Sequence, residues 1–110
     1  NIVPFWMVFM SKRDMHRVLF PKQQKILATF GEDLLLATRR RGFNKQTICD
    51  RTGFDNKTVS KVFAGDPGVS IGAYLKVMAV LGMEDNFAEV AAHDEVGIKL
   101  QNIQLLERSR

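Results

Sequence analysis

Asn56, Lys57, Thr58, Ser60 and Lys61 form a polar cluster whose side chains suit the edges of nucleic-acid bases. An asparagine amide pairs bidentately with adenine, a lysine donates to guanine O6 and N7, and hydroxyls serve bases or phosphate oxygens. Lys45, Gln46 and Thr47 make a second group eleven residues upstream. There, side chains and N–H groups at a helix start meet phosphate and position a protein more than they specify sequence. Between Ala37 and Lys61 the basic residues Arg39, Arg40, Arg41, Lys45, Arg51, Lys57 and Lys61 face only Asp50 and Asp55, a net of +5. The whole chain carries +4, and Met83–Val96 holds Glu84, Asp85, Glu89, Asp94 and Glu95 with no Lys or Arg. Charge is therefore segregated, and a concentrated basic surface supplies affinity for phosphate through counterion release. The alternative for the same residues is a solvated charged face.

These side chains need elements to position them. Past Pro21, Leu27, Phe30, Leu34 and Ala37 recur at helical spacing up to Arg39-Arg40-Arg41-Gly42. Basic residues opposing the helix dipole and a glycine stop would explain that run by capping alone. Asn44 is the N-cap candidate for a short helix with Ile48 and Cys49 inward, ended by Gly53. Asp55 caps another, with Val59, Val62 and Phe63 inward, ended by Gly65. Two short helices across a turn of three or four residues have helix-turn-helix geometry.

After the turn Asp66-Pro67-Gly68, Ser70 caps a fourth helix in which Lys76 is the only charge from Ile71 to Leu81. A helix apolar all round needs cover on more than one side, which predicts a twofold partner across Tyr74, Val77, Met78, Leu81 and Phe87. Residues 84–92 read as a fifth helix with Phe87, Val90 and Ala91 on one face. Val96, Leu100, Ile103 and Leu106 keep helical spacing in a tail with no core left to join.

The expectation is an all-α, five-helix repressor-like domain. Residues 1–20 form an apolar N-terminal extension, 21–93 the DNA-binding and dimerisation domain, and 94–110 a helical or flexible tail. At 110 residues with 45% apolar and 25% charged content, the chain suits one compact core. The opening NIVPFWMVFM is too short to span a bilayer and has no basic residue ahead of it, so neither anchor nor signal peptide is expected. It reads either as a leader or strand pairing across a dimer, or as a partner-binding segment. One cysteine, Cys49, makes no internal disulfide and points to a reducing compartment, the cytoplasm. Catalysis is not expected, since His16, His93 and Asp94 are the only tempting companions to Cys49 and no metal-ligand spacing occurs. No cofactor is expected either.

The run NKQTICDRTGFDNKTVSKVFAG and the helix after it resemble the Xre-type helix-turn-helix repressor domain over roughly Leu27 to Met83. The resemblance implies that Cys49 and Gly53 permit close helix contact and that Ile48, Val59 and Val62 are core. It implies that Gln46 binds phosphate and that Asn56, Lys57 and Lys61 contact bases. Thr58, Ser60, Lys45 and Arg40 complete the candidate DNA surface, with Asp55 standing where the family usually has Thr or Ser. GDPGVSIGAYLKVMAVLGM and DEVGIKLQ resemble, more narrowly, HipB-like antitoxins encoded beside HipA-type serine/threonine kinase toxins. That implies a cytoplasmic homodimer that binds double-stranded operator DNA, represses its own operon and holds a HipA-like toxin. The competing reading is a protein-interaction module, or a stand-alone regulator of the same fold without a toxin.

Overall fold

A computed structural model describes residues 11–15 and 18–109, and the opening apolar decapeptide and His16 lie outside them. The described residues are helical and contain no strand: α1 (Lys12–Met15), α2 (Pro21–Arg40), α3 (Lys45–Thr52), α4 (Asn56–Ala64), α5 (Ile71–Val80), α6 (Glu84–Ala88) and α7 (Glu95–Arg108). The five expected helices correspond to α2–α6.

Pro21 occupies the first turn of α2, where its missing N–H costs nothing, and Gln23 Oε1 accepts from the Phe20 N–H at 3.0 Å. At the other end Arg41 donates to the Ala37 carbonyl at 2.9 Å and Gly42 turns the chain with φ +70°. The three side-chain caps read from sequence all form. Asn44 accepts from the Thr47 N–H, Asp55 from Thr58 and Ser70 from Ala73, at 2.9, 2.8 and 3.2 Å. Gly53 and Gly65 end α3 and α4 in the left-handed conformation.

The core is one cluster of Leu34, Ala37, Ile48, Cys49, Val59, Val62, Ala73, Tyr74, Val77, Met78 and Leu81, flanked by Leu27, Phe30, Phe43, Phe54, Phe63 and Phe87. Each fully buried aliphatic side chain contributes about 1.5–3 kcal/mol. The expected dimer contacts Tyr74, Val77, Met78 and Leu81 are at most 3% exposed within a single chain, which corrects that assignment. The reason is that α5 is central: α3 and α6 pack against it, and Phe30 of α2 stacks on Tyr74 with ring centroids 5.5 Å apart. Helices of the same chain supply the cover that seemed to demand a partner. Phe87 is half-buried against the same core.

The fifth helix is also shorter than expected. α6 stops at Ala88, and residues 89–92 are turns in which Val90 and Ala91 are exposed. Only Phe87 of the expected face finds a core to join.

Gly31 and Gly65 hold the frame together. A Cβ on Gly31 would stand 2.6 Å from Gly65 N and Val62 O, and one on Gly65 would run into the Leu27 backbone. The end of α4 therefore rests directly on the α2 backbone, and α4 takes its direction from that seat.

Candidate nucleic-acid interface

α3 and α4 pack on each other through a three-residue turn, Gly53-Phe54-Asp55. Thr52 builds the turn: its buried hydroxyl donates to the Ile48 carbonyl at 2.7 Å and accepts the Phe54 N–H at 3.1 Å. Two cation–ring contacts flank the unit, with Arg51 over Phe43 at 4.5 Å and Lys76 over Phe54 at 5.3 Å.

Val59 and Val62 are 0% exposed, which fixes the rotation of α4 about its axis. At 3.6 residues per turn the opposite side carries Lys57, Ser60 and Lys61, with Asn56 on the flank that meets α3. Asn56, Lys57 and Lys61 are exposed and Ser60 is half-buried. Lys57 and Lys61, four residues apart, share one stripe. Thr58 falls nearer the core, half-buried, with its backbone N–H bound to Asp55.

Asp55 is exposed, and hydrogen bonds from the Thr58 N–H and hydroxyl hold its carboxyl below the ordinary 3.8, with attraction from Lys57 and Lys61 adding to this. An ionised carboxylate repels phosphate, so Asp55 serves the surface by capping α4 and not as an anion contact. That departs from its place in the expected DNA-binding set.

Asn56 is tied to α3: the Cys49 thiol donates to its Oδ1 at 3.4 Å. The contact engages the amide oxygen and not the amide N–H groups. Sequence reading gave Cys49 a packing role only; nothing in its spacing reveals that a buried thiol lies behind the first residue of the next helix. Gln46 is similarly held, its Nε2 donating to Asp50 Oδ1 at 2.8 Å on the exposed side of α3. Lys45 stands exposed in the first turn of α3, and Arg39 and Arg40 are exposed at the end of α2. A hollow of about 380 Å³ brings Arg39, Asn44 and Lys45 onto one rim with Phe43 and Phe63.

Cys49 is buried on the inner side of α3, and His93, exposed, lies 3.7 Å from Glu89. Among the described residues no three metal-ligating side chains converge, and no helix is long and apolar enough to cross a membrane. No protein-family model, curated protein or solved structure matches this chain.

Proposed function

We propose that this chain is a sequence-specific double-stranded DNA-binding repressor of the Xre helix-turn-helix kind, with α4 as its recognition helix. One observation carries the reading: burial of Val59 and Val62 turns the basic, hydrogen-bonding side of α4 outward. A recognition helix enters the major groove N-terminus first, which puts Asn56 and Lys57 nearest the base edges and Ser60 and Lys61 one turn behind. Lys45, Gln46 and Arg40 meet the backbone on either side, where contacts set register. Repression follows from occupancy of an operator, and a dimer would read two half-sites about 34 Å apart.

The narrower proposal, an antitoxin that autoregulates its operon in the cytoplasm and binds a HipA-like kinase toxin, rests on the resemblance of residues 65–83 and 94–101. A toxin that bridges neighbouring dimers raises their apparent affinity. Operator titrations that are unchanged by the kinase would remove that cooperative step.

The experiment for the main reading is titration of the chain's own upstream DNA across salt concentrations, with competitor DNA, for wild type, Lys57→Ala and Asn56→Ala. The expected result is selective, salt-sensitive binding weakened by about 1–3 kcal/mol per substitution. No selective binding, with a tight protein partner recovered instead, would make the helix pair a scaffold and the interaction-module reading the better one.

A further inference from the structure

Two apolar surfaces have no cover among the described residues. The first is a groove of about 820 Å³ between the N-terminal half of α2, α5 and α6, lined by no residue of α3 or α4 and walled by Ile26, Leu27, Phe30, Ile71, Met83 and Val90. The second is a stripe on α7, where Val96, Leu100, Ile103 and Leu106 are between 52% and 70% exposed and no residue of the helix is buried. A 14-residue helix is marginal in water by itself, so an apolar stripe along one signals a partner.

We propose that α7 of a second copy lies in this groove, and reciprocally, so that two chains dimerise through their C-terminal helices. Four observations favour this occupant. The stripe has the stride of a helix anchored in a groove, with contacts at i, i+4, i+7 and i+10. The root of α7 is held: Val90 N–H donates to Phe87 O and Ala92 N–H to Glu89 O, both at 3.1 Å, and Asp94 caps the helix through the Gly97 N–H at 3.1 Å. No residue of α7 is buried against the described chain, so its stripe is open to a neighbour's groove.

Charge agrees as well: Lys99 lies within the arc of the stripe, three residues after Val96 and four before Ile103, Asp33 stands on the groove wall, and both are exposed with no ion pair among the described residues. Size agrees too. A buried aliphatic side chain removes on the order of 100 Å². Four on each helix, matched by the groove walls and doubled by the second chain, give about 1,600 Å², an ordinary stable interface.

This deepens the dimeric part of the repressor reading, and its test contains no DNA, so the two fail separately. The measurement is the mass of the full chain by sedimentation equilibrium, for wild type, Ile103→Asp on the helix and Ile26→Asp in the groove. Both positions are exposed in the single chain, so circular dichroism should show each variant folded. Wild type should be a dimer. Each variant should dissociate about a hundredfold more readily, because an unpaired charge is driven into an apolar seat.

Mixing the two variants should restore association, since the pair contains one intact helix facing one intact groove. A monomeric wild type, a dimer indifferent to both substitutions, or a mixture no tighter than its parts would each overturn the proposal. The last outcome would mean that helix meets helix, or groove meets groove.

Discussion

The α3–α4 pair, of 8 and 9 residues, and the α6–α7 end, of 5 and 14, are each two successive helices, yet they finish differently. In α3–α4 the side-chain caps are closed, Ile48, Val59 and Val62 are fully buried, and what remains outside is polar and basic. In α6–α7 no residue is buried and the outside is an apolar stripe beside an open groove. A region that completes its own core leaves polar side chains free for a charged, hydrogen-bonding ligand. A region that does not complete it offers apolar area to a partner with an apolar surface of its own. The same contrast separates the two binding functions proposed here.

The comparison breaks most completely if α4 loses its seat on α2. Gly65→Ala adds a side chain at φ +70° that runs into the Leu27 backbone, whereas Gly53→Ala at φ +82° meets nothing within 4 Å. The first should cost about 3–5 kcal/mol, combining left-handed strain with overpacking, and the second only about 1–2 kcal/mol. Urea unfolding of the two variants checks this, and equal losses would show that the contact between the two backbones contributes nothing.

A second experiment separates the two ends by the DNA offered. Lys57→Ala should weaken binding to an isolated half-site by about 1–3 kcal/mol, and to a full operator, which takes the residue from both chains, by about twice that. Ile103→Asp should leave the half-site untouched and lose the gain that a full operator provides through linkage. Loss of half-site binding in Ile103→Asp would end the division of labour.

Tyr74 tests the middle of the molecule, where its hydroxyl donates to the Asp66 carbonyl at 2.7 Å and anchors the loop after α4. Burial, and then the charge of Asp66, push the phenol above its ordinary 10.0. A raised phenol stabilises the fold fully below that value, and the contribution is lost as pH rises through the folded-state value. Tyr74→Phe should therefore cost about 1 kcal/mol at neutral pH. The gap between wild type and variant should narrow in thermal melts above pH 10, and a constant gap would assign the loss to packing alone.

The smallest effect is expected at Cys49. Cys49→Ala frees the Asn56 amide oxygen, and the change in operator affinity should stay below about 1 kcal/mol, confined to the base that Asn56 contacts. A uniform change across operator sequences would show that the thiol acts on helix packing instead.

Much of this arrangement is legible in the sequence. Asn44, Asp55 and Ser70 before apolar runs, with Gly53 and Gly65 after them, are local signals, because a cap and a left-handed stop depend on residues within a single turn. The outward side of α4 was readable for the same reason: Val59 and Val62 are spaced to share an inner face, which leaves Asn56, Lys57 and Lys61 outside. The apolar surplus of Ile71–Leu81 was not readable as core. A pattern counts apolar residues but not the helices converging on them, and a central helix with several neighbours looks the same as one waiting for a second chain.

The sequence by itself determined where α3, α4 and α5 are capped, which side of α4 is apolar, and where positive charge gathers, since all three depend on neighbours along the chain. Only the tertiary structure decided that Tyr74, Val77, Met78 and Leu81 close a core, that Cys49 stands behind Asn56, and that Gly31 and Gly65 seat α4 on α2. Those contacts join residues far apart in sequence, and their existence depends on the angle at which helices cross, which no local spacing encodes.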